Sequence, residues 1–247
     1  MMLQHQLLDQ LKALEQPIAY FQAPPLDKES FTWQNGRIPL LISAPHATSH
    51  SRSGRIKGEE EYTAALAQLL AQETGAYAMY TTYRSAGDPN WDIVAPYKSR
   101  LQQLVRRHDI RFVVDLHGMS NRHKFGIAVG TMNGRSCPNW ESIIIQSLES
   151  HQFVMTNEKK VRSYSKLQWQ GVVLNHPRFT GGVVNHTITR FVVESLGIAA
   201  AQIELCASIR IVHREQQFLP TFMGIAAGIT QAYAALVHLI RKIAVTL

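Results

Sequence analysis

Two short segments carry imidazoles where strand-like runs end. In LLISAPHATSH (40–50) the apolar run stops at Pro45 and His46 follows at once; in RFVVDLHG (111–118) a second run ends in Asp115, Leu116 and His117. Alternation along a strand puts Asp115 and His117 on one face and Leu116 on the other. Such a pair is either a structural hydrogen bond or a metal ligand with the carboxylate that orients it. Between the two histidines runs GRIKGEEEYTAAL, with Glu59, Glu60 and Glu61 in succession. These acids would complement the dipole of a helix they open, or one of them would supply an oxygen ligand. Two imidazoles and a carboxylate, with a position left for water, form a ligand set used by hydrolytic zinc sites. The spacing matches no short zinc motif such as HExxH. A further acid, Glu204 in AAAQIELC (199–206), sits among mostly small or apolar neighbours. Desolvation raises a carboxyl pKa and suits a general base; the alternative is a salt bridge to Arg210.

The elements that must position these groups alternate in type. Strands are expected at 38–44, 76–83, 111–118, 125–130 and 199–206. Helices are expected at 59–74 from apolar spacing at three and four, at 97–108, from Pro138, and over TITRFVVESLG. An amphipathic helix over 1–16 and a buried helix over 221–245 flank them. This order predicts an α/β three-layer sandwich around a largely parallel, mixed sheet, with 1–247 forming one domain. In such sheets ligands bind beyond the carboxyl ends of the strands. His46, Arg84, His117 and Glu204 all fall at or just past a strand end, so the pattern favours convergence on one edge.

Composition narrows the function classes. The 247 residues carry a formal charge of +7 with 45% hydrophobic and 17% charged residues, a globular balance. The basic residues are scattered, the tightest groups being the pairs Arg106–Arg107 and Lys159–Lys160, so no nucleic-acid partner is expected. Cys137 and Cys206 form neither a disulfide framework nor a CxxC pair and fit a reducing, cytoplasmic compartment. The N-terminus lacks the basic start and apolar centre of a signal peptide, and no membrane association is expected. From Gln216 to Ile240 no charged residue occurs, but Thr221, Thr230, Gln231 and His238 interrupt the stretch and point to a core helix rather than a membrane span. There is no GxSxG elbow, GxxxxGKS/T or GxGxxG. His123, His176 and His213 have no evident partners and read as surface or structural; Tyr164, Tyr97 and Trp169 would line a pocket or fill the core.

Taken in order, PHATSH, RIKGEEEYT, DPNWD, VVDLHGM, FTGG and QIEL resemble the N-formylglutamate amidohydrolase family over roughly 38–212. That family is similar in fold to the zinc carboxypeptidases. The resemblance implies one zinc ion per chain and hydrolysis of the C–N bond of an N-acyl amino acid, N-formyl ones included, or of a short peptide. It implies His46 and His117 as imidazole ligands and Glu60 as the acidic ligand, with Glu59 and Glu61 as contenders. Glu204 would be the general acid/base, Arg84 or the metal itself would stabilise the oxyanion, and Asp115 would support His117. Asn90, Lys98, His186 and Arg190 would contact substrate. One departure bears on specificity: FTGGVVNHTITR places His186 where the family pattern leads one to expect an arginine, and Arg190 comes four residues later. The rivals are a carboxypeptidase-type peptidase and a non-catalytic binding protein on the same fold.

Overall fold

A computed structural model describes residues 4–157, 168–212 and 219–247, with side chains left out at 168 and 219–225. Lys159, Lys160, Tyr164 and His213 lie outside the described residues. The elements are, in chain order, α1 (Gln4–Glu15), β1 (Phe31–Gln34), β2 (Leu40–Ala44), β3 (His50–Arg52), β4 (Arg55–Lys57), α2 (Thr63–Thr74) and β5 (Tyr77–Thr81). They continue with α3 (Pro96–Arg107), β6 (Phe112–Met119), β7 (Ile127–Gly130), α4 (Glu141–Glu149), β8 (Val154–Met155), β9 (Gly171–Leu174), α5 (Ile188–Leu196), β10 (Ala199–Cys206) and α6 (Leu219–Thr246).

Eight strands form one sheet in the order β1-β5-β2-β6-β10-β7-β9-β8, and β3 and β4 form a separate hairpin. The sheet is parallel except where β1 meets β5 and β7 meets β10. The run LLISA of β2 is buried along its whole length, as a strand covered on both faces must be. On one face Leu7, Leu11, Leu66, Leu70, Ile144, Leu236 and Ile240, from α1, α2, α4 and α6, pack on β2, β6 and β10. On the other, Leu101, Leu104, Ile188 and Val192 of α3 and α5 meet Leu41, Val113 and Ala200. This is the expected three-layer sandwich. No helix among the described residues is long and apolar enough to cross a membrane. In α6, Ile229, Leu236, Leu239 and Ile243 are buried, while Arg241 and Lys242 are exposed.

The second helix begins at Thr63 rather than at Glu59, because Tyr62 takes a left-handed conformation with φ 65° that no upstream turn can continue. Glu59, Glu60 and Glu61 are thereby kept out of the helix. The open end of α2 is capped from α1: the buried Glu15 carboxylate accepts hydrogen bonds from the Tyr62 N–H at 2.5 Å and the Ala65 N–H at 3.3 Å, and from the Tyr20 hydroxyl. A carboxylate at a helix N-terminus answers both its orphan donors and its dipole. Glu15→Ala is expected to destabilise the protein by about 2–4 kcal/mol through those buried donors, read as a lower midpoint of urea unfolding; an unchanged midpoint removes the capping role.

Candidate metal and catalytic centre

Strands β2, β6 and β10 run side by side and parallel at the centre of the sheet, so their carboxyl ends share one edge. His46 lies two residues past β2, and His117 and Glu204 face one another across the β6–β10 register. The turn before α2 brings Glu60 back to His46, where the Glu60 N–H donates to the His46 carbonyl at 2.9 Å. That turn is fixed from both sides. Thr63 Oγ1 donates to the Glu60 carbonyl at 2.7 Å. The buried guanidinium of Arg210 donates to the Glu61 carbonyl and packs where a Cβ on Gly118 would stand. Arg210 therefore serves the Glu60 turn, and no ion pair joins it to Glu204 among the described residues.

The Glu60 carboxylate sits between the two imidazoles. Its Oε1 is 3.2 Å from His46 Nδ1, and its Oε2 is 2.9 Å from both His117 Nδ1 and the Gly118 N–H. Behind His46, the Asp88 carboxylate lies 2.8 Å from Nε2. A proton on Nε2 donates to Asp88 and leaves the Nδ1 lone pair facing Glu60. His117 has two such arrangements. Its Nε2 is 3.2 Å from Asp115 Oδ1 and 2.8 Å from Asn90 Nδ2. A proton on Nε2 would face Asp115 Oδ1, which otherwise makes no hydrogen bond among the described residues, and would free Nδ1; a proton on Nδ1 donates to Glu60 and lets Nε2 accept from Asn90. A cation at Nδ1 selects the first. His46, Glu60 and His117 thus offer ligand atoms all within 4.8 Å of one another, and two borderline nitrogens with a carboxylate suit a divalent transition metal.

A second such group, His46, His50 and Asp88, lies behind the first. Hairpin β3–β4 supplies it: the buried His50 ring stacks on His46 at 3.9 Å, and Arg52 Nε donates to Asp88 Oδ2 at 2.5 Å. The guanidinium already neutralises Asp88, which makes this group a poorer cation site than the one around Glu60.

Electrostatics follow from these contacts. Burial alone would lower both imidazoles. The Glu60 charge, helped by Asp88 at His46 and by Asp115 at His117, raises them instead, His117 well above its usual value. Burial would raise Glu60, but the two imidazoles outweigh it and hold the carboxyl well below its usual range. Asp88 is held down in the same way by His46 and His50. Glu204 is the exception. Burial pushes it up to about 8, with His117 opposing and Glu60 and Asp115 adding. Its Oε1 accepts from Gln202 Nε2 at 2.9 Å, and Gln202 Oε1 accepts from the Gly181 N–H at 2.9 Å.

A cavity of about 220 Å³ opens over these groups, lined among others by His46, Glu60, Asn90, His117 and Glu204. Its wall includes the turn of Gly181 and Gly182, at φ 77° and 118°, backbone that only glycine adopts without strain. Arg52 and Arg178 supply its positive charge. Not every residue expected here arrives. Asn90 does, with its Oδ1 accepting the Ile188 N–H at 2.8 Å. Asp115 lies behind His117 and is also held by Thr189. Arg84 is exposed and outside the lining, since the chain past β5 turns to give its N–H to the Gln22 carbonyl. Lys98 is buried and its ammonium is taken by the carbonyls of Asp92 and His186, each at 2.6 Å. His186 is exposed and Arg190 pairs with Glu194 at 2.8 Å; neither lines the cavity. Tyr97 fills the core against Phe31. His123 and His176 pack with Phe125 and Phe179.

Asp88, His50, Arg52, Arg178 and Gln202 were not anticipated from the sequence. Asp88 had a signal, being two residues before Asn90 in the DPN segment. Gln202 had one too, sharing a strand face with Glu204.

An eight-stranded mixed sheet covered on both faces, with imidazoles and carboxylates gathered at the carboxyl edge of its central strands, defines an α/β three-layer sandwich with its candidate site at the sheet's edge. Among solved structures it has the fold of N-formylglutamate amidohydrolase from Ralstonia eutropha JMP134, at TM-score 0.50 and 14% identity over 88% of this chain and 97% of that one. The gene product Atu2144 from Agrobacterium tumefaciens matches equally, at TM-score 0.50 and 14% identity over 88% and 94%. No family model matches the sequence, and no curated protein does.

Glu204 generates a prediction for metal-free protein. Its folded pKa of about 8 exceeds the ordinary 4.5, so its contribution to stability is complete below pH 4.5 and is lost as pH rises through 8. Relative to the parent, Glu204→Gln is expected to gain stability across that window, on the order of a few kcal/mol at its upper end. Parallel urea melts in chelator would show it; a pH-independent difference would refute the buried, protonated carboxyl.

Proposed function

We propose that this protein is a zinc-dependent amidohydrolase that cleaves the C–N bond of an N-acyl amino acid, N-formyl ones included. The carrying observation is the convergence of His46 Nδ1, His117 Nδ1 and the Glu60 carboxylate beside a buried Glu204 in one cavity. The shared fold with an N-formylglutamate amidohydrolase supports the choice of reaction. His46, Glu60 and His117 would hold the metal. Zinc bound there supplies a Lewis acid that polarises a carbonyl and acidifies water toward neutrality.

The chain's own residues do the rest. Glu204, as the carboxylate, takes a proton from the attacking water and returns it to the departing amine nitrogen. A group whose pKa lies near the working pH can do both. Gln202 holds Glu204 in place, Asp88 holds the His46 imidazole, and Asp115 puts its charge 3.2 Å from His117 Nε2. Arg178 and Arg52, at the cavity wall, are placed to receive a substrate carboxylate by charge-assisted hydrogen bonds. Arg84 has no part in this scheme.

Two measurements test the reading. Elemental analysis should find one zinc per chain in the parent and little in His46→Ala or His117→Ala; retention in both variants would sink the ligand assignment. Glu204→Gln should keep its zinc while kcat falls about 10²- to 10⁴-fold on N-acyl amino acids. Comparable turnover of parent and variant would remove Glu204 from the reaction. Faster cleavage of C-terminal peptides than of N-acyl amino acids would mark a peptidase instead.

A further inference from the structure

Three segments frame the mouth of the cavity: the β3–β4 hairpin, the loop 88–95 and the loop 181–187. Arg52, Asn90 and Val184 from these segments line the cavity itself. The two loops are tied together by the Lys98 ammonium, bonded to the Asp92 carbonyl in one and the His186 carbonyl in the other. Hairpin and first loop are tied by Arg52, which reaches Asp88 and lies 5.4 Å over the Trp91 ring.

The two loops expose apolar side chains beside the polar Asn185 and His186, and the hairpin exposes Ile56 between Arg55 and Lys57. Ile56, Trp91, Ile93, Val94, Val183 and Val184 are six of the eleven large hydrophobic side chains exposed among the described residues, with Val94 at 85% and Val184 at 77%. Val184 lines the cavity, Trp91 lies under Arg52 of its wall, and Ile93, Val94 and Val183 belong to the same two loops as the lining residues Asn90 and Gly182. Exposed hydrophobics are ordinary when scattered, whereas grouped beside one opening they point to a binding surface. The opening leads to a polar space of about 220 Å³, below the usual volume of a small-molecule site. It has room for an amide and a small charged end, and little beyond.

We infer that the substrate is amphipathic: its amino-acid carboxylate enters the polar cavity toward Arg178 and Arg52, and an apolar acyl chain lies outward on the rim formed by Trp91, Ile93, Val94, Val183 and Val184. This rests on the amidohydrolase reading and adds the class of acyl group. The charges fix the orientation, because a carboxylate gains from the arginines and loses on the rim, and an alkyl chain does the reverse. Arg52, shared between cavity wall and Trp91, stands at the junction of the two regions.

The test is kcat/KM of the zinc-loaded full chain on one amino acid carrying straight acyl chains from formyl to decanoyl. Each methylene that reaches the rim should raise kcat/KM about 2-fold to 4-fold, levelling off once the rim is covered. Combined Ile93→Ser and Val94→Ser, and separately Val183→Ser, should flatten that slope; an unaltered slope in both would overturn the rim. A flat or falling profile in the parent, with the formyl compound hydrolysed, overturns the proposal and leaves the amidohydrolase reading standing. Hydrolysis of nothing in the series overturns both.

Discussion

One carboxylate shared by two buried imidazoles is the contact on which the rest of the site depends. Glu60 reaches both rings at their Nδ1 atoms, which can happen only if both rings turn their Nε2 atoms away. Asp88 and Asp115 stand where those Nε2 atoms point. The charges match a divalent cation. Two imidazolium protons carry the same total charge as one such ion bound between neutral rings, so the surrounding carboxylates suit either state. Without a cation or protons, Glu60 and Asp115 would lie as uncompensated buried charge beside an Asp88 that Arg52 alone neutralises, a costly arrangement. The cluster therefore demands positive charge at its centre.

Holding Glu60 there takes a relay of contacts across the fold. Glu15 at the end of α1 caps α2, Tyr62 takes the left-handed conformation that ends the helix upstream, and the preceding residue's carbonyl is gripped by Arg210. Arg210 fits because residue 118, one past His117, is glycine. A carboxylate carried on a turn is thus fixed by groups from α1, β6 and the segment after β10.

How far this was readable in advance differs by residue. His46, His117 and Glu204 were legible because each sits at or next to the end of an apolar run, and in a parallel sheet those ends share an edge. The fold class followed from the same alternation. Glu60 was one of three adjacent acids, and only the tertiary fixing of the 59–62 turn chooses among them. Arg84 also follows a strand end yet lies away from the site, since a strand end does not dictate where the chain turns next. Asp88, a loop residue, has no period to mark it. Lys98 misled for another reason: a buried ammonium needs acceptors, and here two backbone carbonyls supply them, so its position near the DPN segment reports loop architecture. Short elements such as β1, β3, β4 and β8 have too few residues to show a period at all.

The geometry also joins recognition to chemistry. Gln202 donates to Glu204 and accepts from Gly181, the residue that opens the turn leading to Val183 and Val184. The same loop is held at its far side by Thr187, whose hydroxyl donates to the Gly181 carbonyl at 2.8 Å. Anything that settles on this loop therefore acts on a segment one hydrogen-bonded side chain away from Glu204. Binding energy gained remotely is most useful when it fixes the reacting groups rather than merely tightening the complex. On the proposed function, a loop bonded to the residue that orients Glu204 is suited to that use, because ordering the loop and ordering Glu204 become one event. A carboxylate flanked by water alone would have to be ordered separately in every turnover.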